Sequence, residues 1–399
     1  MALLKHRPRA LALRLHRWLG LGLGAVFVLF GLTGSLLVFY TELDSLVDPA
    51  LRRAAPAPAT PQALPSWQAL PSWQAVLHSL QQAHPQRDRG WRIELTPTGV
   101  AAGQGRMPPG PGLVTARYLQ PAERTGAFFR PLLVTLDPAS GQVLASRFWG
   151  SFAATWLFDL HYTLLLEDTG RTLVGLLGLA LLLALGLGLL LWWPRRGHWR
   201  SALRVSLTGS RQRRHYDLHK LAGVGGGGLL LLLAATGAAL ALPEWVDPVL
   251  QRWSPPQVVA APKPARLPGV PLISLDDALA RAQAHWPEGR ARWVDTPAAD
   301  GAVYRVRIWL PGGPSQRFPR SLVWVHAQTG AVLAARDARQ QSASDAVLAW
   351  LHPLHNGEAF GLVGRVVVCL AGLLPLLLAV TGLQRWRDRR RAQQARAQR

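Results

Sequence analysis

Four long apolar runs divide the chain, and each is long enough to cross the hydrocarbon core of a bilayer. A spanning helix needs roughly 20 apolar residues at a rise of about 1.5 Å each. The runs cover residues 19–39, 173–193, 221–242 and 363–383. The pattern therefore predicts an α-helical membrane protein with a core of four transmembrane helices. The first run is longer than the apolar part of a signal peptide and no convincing cleavage site follows it, so we interpret it as an uncleaved anchor.

Two less apolar segments, residues 41–151 and 243–350, lie between the runs. Each is too long for a linker. Helical periodicity at 66–82 and 274–283, strand alternation at 303–308 and strand–turn–strand patterns at 133–144 and 322–333 predict an α+β domain in each. Proline- and alanine-rich stretches at 54–61 and 255–268 are typical of linkers.

Basic residues lie mainly at the ends of the apolar runs. The chain has 44 Lys and Arg against 22 Asp and Glu, and they concentrate before the first run, between the second and third, and after the fourth. These three segments should be cytoplasmic, since cytoplasmic flanks are enriched in Lys and Arg. The two large domains should then be extracytoplasmic, and the positive net charge needs no nucleic-acid partner. The predicted divisions are 1–40, 41–151, 152–194, 195–218, 219–242, 243–350, 351–384 and 385–399.

The cysteine and methionine content limits the possible cofactors. Only Cys369 is present, which excludes disulfides within the chain, Cys-ligated zinc, iron–sulfur clusters and covalently attached haem. With only Met1 and Met107, a copper site of the thioether type is disfavoured. No motif for flavin, nicotinamide or phosphate binding is present. A cofactor would therefore depend on other ligands.

The two halves of the chain repeat the same polar landmarks at the same spacing. His16 precedes Thr33 by the same number of residues as His219 precedes Thr236. His161 and His355 each lie ten residues before an arginine, Arg171 and Arg365, and each arginine follows a glycine. Such symmetry marks sites at repeat interfaces in membrane proteins. We therefore predict an internally duplicated protein whose two halves run parallel.

His16 and His219 lie at the cytoplasmic ends of the first and third predicted helices. Two such imidazoles can bind a flat cofactor from opposite faces, as in a bis-histidine b-type haem. Glycines four and eight residues beyond each histidine would leave room for the macrocycle, although glycine stripes also serve helix packing: Gly20, Gly24, Gly223 and Gly227. The alternative is that both histidines are interfacial residues that contact water or lipid headgroups.

His161 and His355 are the candidates for a second site near the extracytoplasmic surface. His352 lies three residues before His355 on a similar helical face, so it is a competing ligand. Asp159 and Asp217 each precede a histidine by two residues, where they would cap a helix or, less favoured, orient an imidazole. We interpret the remaining histidines as solvated or structural: His6, His78, His84, His198, His215, His285 and His326. Four tryptophans fit an interfacial aromatic belt: Trp192, Trp193, Trp350 and Trp386.

These histidine helices, the Gly-Arg helix starts, the terminal Thr381-Gly382 and the hairpin at 133–144 resemble the PepSY-associated transmembrane family. The resemblance covers nearly the whole chain. It implies two periplasmic PepSY-like domains, an inner-membrane location in bacteria and, as in ferric-siderophore reductases of the family, two b-type haems. His16, His219, His161 and His355 would then hold haem iron.

The resulting hypothesis is an oxidoreductase that moves electrons through the membrane. A cytoplasmic reductant or quinol would supply them, and a ferric siderophore or similar ferric chelate held between the soluble domains would accept them. No side chain would need to act as acid or base. The rival hypothesis is a haem-free scaffold whose domains bind a partner protein such as a peptidase, and quinone- or copper-linked electron transfer is a third.

Overall fold

The computed structural model describes residues 7–51, 72–95, 113–124, 129–137, 140–194, 196–206 and 209–398. The described helices are α1 (Arg7–Gly22), α2 (Gly24–Leu37), α3 (Tyr40–Val47), α4 (Trp73–Ala83), α5 (Ala153–Thr163), α6 (Glu167–Trp192), α7 (Trp199–Leu203), α8 (Arg211–Gly225), α9 (Gly227–Ala241), α10 (Pro243–Trp253), α11 (Leu275–His285), α12 (Ala343–His355), α13 (Gly361–Ala371) and α14 (Leu374–Ala397). The described strands are β1 (Arg92–Glu94), β2 (Val114–Tyr118), β3 (Leu132–Leu136), β4 (Val143–Phe148), β5 (Arg290–Asp295), β6 (Val303–Trp309), β7 (Ser321–His326) and β8 (Val332–Arg336). The predicted linker at 54–61 and the start of the predicted helix at 66–82 lie outside the described residues.

Two helical stretches are long and apolar enough to span a membrane, α6 and the stretch Glu358–Ala397 that contains α13 and α14. The pairs α1–α2 and α8–α9 also meet the test when each is taken as one span, but they bend by 59° and 56°. Leu23 breaks the first pair between two glycines, and Gly226 breaks the second inside a run of four. Glycine favours such breaks because it stabilises a helix less than almost any other residue. Both breaks lie seven residues beyond a histidine, His16 or His219.

The spanning candidates pack around one another. Helix α6 packs against α9 and α1, and α14 packs against α8 and α2. The basic segment that contains α7 lies at one end of this bundle, and the strands lie at the other, where residues of both the sheet and the helices line one cavity. The helices therefore have a loop side and a sheet side.

The strands of both soluble segments form a single eight-stranded antiparallel sheet in the order β4-β3-β2-β1-β5-β6-β7-β8. The segments meet at the β1–β5 pair, where Ile93 lies opposite Val294. One hydrophobic core runs through both segments. The hydropathy pattern places the two segments far apart in sequence and does not reveal that they share one sheet.

Helices α4 and α11 cover one face of this sheet. Their start residues follow from local chemistry, because Ser72 and Ser274 accept hydrogen bonds from the backbone N–H groups of Ala75 and Asp277. The apolar face that periodicity predicts for the first of these helices is confirmed, since Trp73, Val76, Leu77 and Leu80 are all buried. The opposite face of the sheet turns toward the membrane helices.

Candidate functional site

The structure brings the four predicted histidines together as two pairs. His161 of α5 and His355 of α12 form a sheet-side pair whose ring centroids are 6.3 Å apart with an interplanar angle of 47°. His16 of α1 and His219 of α8 form a loop-side pair, also with centroids 6.3 Å apart, at an interplanar angle of 80°. Each pair takes one ring from each half of the chain.

Each imidazole lies against a glycine on another helix of its own half. An ideal Cβ built on Gly237 would lie 2.8 Å from Cε1 of His355, and one on Gly34 would lie 3.1 Å from Cε1 of His161. The corresponding distances for the loop-side pair are 3.0 Å from Gly188 to His16 and 3.4 Å from Gly382 to His219. These glycines let the rings approach a helix backbone more closely than most side chains would allow.

The residue before three of these glycines is a threonine that binds the imidazole. Oγ1 of Thr33 lies 2.8 Å from Nδ1 of His161, and the same distance is 3.1 Å for Thr236 and His355 and 3.0 Å for Thr381 and His219. His16 has Leu187 at the matching position, and its Nδ1 lies 2.9 Å from the carbonyl oxygen of Ala184. We call each threonine–glycine or leucine–glycine pair, with its nearby carbonyl, a cradle.

The cradles determine which nitrogen carries the proton in each neutral ring. The three threonine hydroxyls donate to helix carbonyls four residues earlier, at distances of 2.6–2.8 Å. Their oxygens can then only accept, so the imidazole Nδ1–H must donate to them. In His16, His219 and His355 the Nδ1 atom also lies within hydrogen-bond distance of a backbone carbonyl oxygen. Because a carbonyl oxygen can only accept, Nδ1 carries the proton in these rings as well. Nε2 is therefore an open lone pair in each neutral ring, and no hydrogen bond reaches it from the described residues.

Sequence reasoning missed the cradles, although their signal is in the chain. The dipeptides Thr33-Gly34 and Thr236-Gly237 stand at the same distance from His16 and His219, yet they bind the other histidines, His161 and His355. Three of the four glycines that the sequence predicts to make room for a macrocycle lie instead against other helices. A Cβ on Gly24, Gly223 or Gly227 would meet side chains of other helices at 3.4–3.8 Å, whereas Gly20 has open space.

His352 is not part of the sheet-side pair. Its ring makes an edge contact with Phe318, with centroids 5.9 Å apart, and its Nδ1 lies 3.5 Å from the amide nitrogen of Asn356. His352 lines the same cavity as His161 and His355. Of the two candidates that the sequence leaves open, His355 is the one that the fold pairs with His161.

The prediction that Asp159 and Asp217 cap helices is wrong. Helix α8 begins after Ser210, which supplies the cap, and Asp217 is buried six residues inside the helix. Its carboxylate accepts hydrogen bonds from three donors: the backbone N–H of Ser206, Nε of Arg213 and Nζ of Lys220. Asp159 lies inside α5 and accepts from the indole of Trp149 at 2.7 Å. Neither carboxylate contacts an imidazole, because the cradles already occupy Nδ1.

Arg171 and Arg365, which each lie ten residues after a histidine, form contacts between the two halves at the sheet side. Arg171 at the start of α6 binds Glu244 of the other half at 2.6 Å, and Arg365 of α13 binds Glu42 at 2.6 Å. Arg171 also donates a hydrogen bond to the carbonyl oxygen of Ala241, just before the helix that carries Glu244. Arg365 likewise donates to the carbonyl oxygen of Val38, just before the helix that carries Glu42. Each half therefore supplies one arginine and one glutamate to a matching pair of contacts between the halves.

A cavity of about 850 Å³ opens from the sheet-side pair toward the sheet. Its floor includes His161 and His355, and its roof includes residues of β1, β2 and β3 on the sheet face opposite α4 and α11. Both charge signs line it. The cavity therefore lies between the sheet and the helices and not between two separate domains, because β1–β5 pairing joins both segments in one sheet.

The remaining described histidines make ordinary protein contacts or face solvent. His84 lies 3.0 Å from Ser146, His215 lies 3.3 Å from Asp388, and His326 accepts from two turn N–H groups. His78 and His198 are exposed, and His285 packs on Trp286. His6 lies outside the described residues. Within those residues, no group of three or more His, Cys, Asp or Glu side chains could hold a metal ion.

A family profile described as the PepSY-associated TM region matches residues 13–389. The matched range contains both imidazole pairs, their cradles and all described strands. No curated protein matches the chain. The chain is therefore a membrane protein that belongs to the family of PepSY-associated transmembrane regions.

Proposed function

We propose that this protein binds two b-type haems, one at each histidine pair, and transfers electrons from the loop side to a ferric chelate on the sheet side. The supporting observation is that both pairs have the same ring separation and the same open Nε2 atoms. His16 and His219 would hold the iron of one haem, and His161 and His355 would hold that of the other.

The ring separation fits a single metal between each pair. Metal–imidazole bonds of about 2.1 Å place a ring centroid about 3.2 Å from the metal, so two rings on opposite sides would lie about 6.4 Å apart. Both observed separations are 6.3 Å. Ordinary edge contacts between rings also occur at about 4.5–7 Å. The open Nε2 atoms and the repeated value favour ligation, and a porphyrin would supply the equatorial ligands that the protein does not gather.

The protein's own contribution is to hold and tune the ligands. A cradle fixes each ring's orientation, and donation from Nδ1–H to a carbonyl or hydroxyl oxygen increases the basicity of the ligating nitrogen. Haem would supply a one-electron carrier at each pair. The cavity at the sheet-side pair gives a soluble acceptor access to that carrier.

The proposal includes the membrane arrangement. Four spans, α1–α2, α6, α8–α9 and α13–α14, would cross a bacterial inner membrane, with both termini and the segment 195–210 in the cytoplasm and the sheet in the periplasm. The halves would be an internal duplication. Thr236, in the sheet-side cradle, lies seventeen positions after His219, which corresponds to a rise of about 25 Å along a straight helix.

The overall reaction would be a one-electron reduction. A cytoplasmic reductant or quinol gives up one electron for each Fe(III) reduced to Fe(II) in the chelate. Chelators with hard oxygen donors hold Fe(II) less tightly, so reduction releases the iron. No side chain needs to transfer a proton in this scheme.

Haem quantification in four purified proteins tests the proposal. We expect the pyridine-haemochrome assay to give about two b-type haems per chain for the wild type, and about one each for His16→Ala and His355→Ala. His352→Ala is the matched control, because His352 lines the cavity but is not part of the pair, and this variant should keep both haems. Wild-type protein without haem, made with ample haem supply, would refute the proposal and favour the haem-free scaffold.

A further inference from the structure

The roof of the cavity carries an arginine that forms no ion pair with any carboxylate of the described residues. Residues at alternate positions of β2 and their partners on β3 face the cavity, among them Thr115, Arg117, Leu133 and Thr135. Thr115 lies directly opposite Thr135, and Arg117 lies opposite Leu133. The roof is therefore polar, although the floor around the sheet-side pair is mostly apolar.

Three other arginines at the cavity have carboxylate partners. Arg147 binds Asp44 and Asp48 at 2.7 and 2.8 Å. Arg317 binds Glu94 at 2.7 Å, and Arg365 binds Glu42 at 2.6 Å. The charges of these three side chains are thus offset within the protein.

Arg117 differs from these three. Its guanidinium lies over the ring of Trp293, 4.8 Å from the centroid, and among the described residues it has neither a hydrogen bond nor an ion pair. Burial lowers the pKa of Arg117, because removing the cation from water disfavours it and the nearby Tyr40 and Glu94 offset this only in part. A partly buried guanidinium with free donors is costly unless an anion joins it.

We propose that Arg117 binds a carboxylate group inside the cavity. A guanidinium presents parallel N–H donors that match the two oxygens of a carboxylate, and stacking on Trp293 fixes the plane of that fork. The hydroxyls of Thr115 and Thr135 lie on the same sheet face and can donate further hydrogen bonds.

The carboxylate has two possible sources with the same chemistry. One is a propionate of a haem held by the sheet-side pair, and this source rests on the proposed function. The other is a soluble ligand with carboxylate groups, which enters the cavity from the sheet side and does not require haem.

The matched control for Arg117 is Arg307. It takes the same register position in the second half, opposite Leu322, and it also has no ion pair among the described residues, but it does not line the cavity. Purified full-length wild type, Arg117→Gln, Arg117→Lys and Arg307→Gln would be compared. The measurements are calorimetric titration with iron-free citrate, haem content and an optical redox titration.

If the carboxylate belongs to a soluble ligand, the wild type should bind citrate and Arg117→Gln should weaken that binding at least about tenfold. The haem midpoint potentials should then stay unchanged. Arg117→Lys would recover part of the affinity. If the carboxylate is a haem propionate, the wild type should not bind citrate. Arg117→Gln should then lower the midpoint potential of one haem, because loss of a nearby cation favours the oxidised form. Arg307→Gln should match wild type in both cases.

The proposal would be overturned if Arg117→Gln matched Arg307→Gln in citrate affinity, haem content and midpoints. Failure of the proposed function would give a different result from failure of the carboxylate site. A wild type without haem that still bound citrate through Arg117 would remove the electron-transfer function and keep the carboxylate site.

Discussion

The loop-side and sheet-side histidine pairs have the same ring separation but different surroundings. Both rings of the sheet-side pair rest on Thr-Gly cradles and line a cavity roofed by the sheet. In the loop-side pair His16 has a Leu-Gly cradle, and His219 lies on a helix with a dense group of cations around Tyr216. The ring separation is thus repeated, whereas the angle between the rings and the chemical environment are not.

This difference suggests how one ligand set can serve two roles. Second-sphere hydrogen bonds, burial and nearby charge set the potential of a bound haem as much as its axial ligands do. A site beside an open cavity can meet a soluble acceptor, whereas a site beside a basic surface can meet an acidic or membrane-bound donor. Substitutions beside each pair test whether that pair depends on its own surroundings.

The largest expected effect comes from adding a methyl group to a cradle. Gly237→Ala places a Cβ 2.8 Å from Cε1 of His355, too close for a carbon contact, so the ring must move and the sheet-side haem should be lost. Gly382→Ala places a Cβ 3.4 Å from His219, which is an ordinary contact, so the loop-side haem should remain. Haem content per chain measures both, and Gly228→Ala, in open space, is the control.

If Gly237→Ala and Gly382→Ala lost equal amounts of haem, close packing against glycine would not be what positions the rings. Gly34 and Gly188, at 3.1 and 3.0 Å, should give intermediate losses.

A smaller effect is expected from the cradle hydroxyls. Thr236→Val removes one acceptor for Nδ1–H of His355, which weakens the ligand's basicity and should raise the sheet-side midpoint by about 40 mV, the equivalent of about 1 kcal/mol for one electron. Leu187→Thr adds the missing hydroxyl beside His16 and should lower the loop-side midpoint. Optical redox titration of each variant measures the shift, and two shifts of the same sign would contradict the cradle's tuning role.

The smallest effects are expected from removing the two ion pairs between the halves, and the two effects should differ in size. The Glu42 side chain is 23% exposed and that of Glu244 is 61% exposed. Glu42→Gln should therefore lower the unfolding free energy by about 1–3 kcal/mol, and Glu244→Gln should lower it by less because water screens the exposed pair. Thermal unfolding in detergent by circular dichroism compares them, and equal losses would show that the two contacts are energetically alike.

Local patterns were sufficient to predict the span candidates, a helix that includes Trp73, the hairpins and the four histidines that pair, although the predicted helix starts at residue 66, outside the described residues. Each of these follows from periodicity or from spacing within a short stretch of chain. The Thr-Gly cradles were visible only as a repeat, because each binds a ring that is more than a hundred residues away. The β1–β5 seam depends on a contact about two hundred residues apart. Asp217 was misread because helix α8 begins at Arg211, six residues earlier, where Ser210 supplies the cap.

The β1–β5 seam also has a consequence for assembly. A fragment that ended in the segment 195–210 would carry one imidazole of each pair and would expose β1 as a sheet edge, which invites pairing with another chain. The complementary fragment would expose β5 in the same way. The intact chain therefore behaves as two covalently linked subunits, and each fragment would need its complement before either imidazole pair existed.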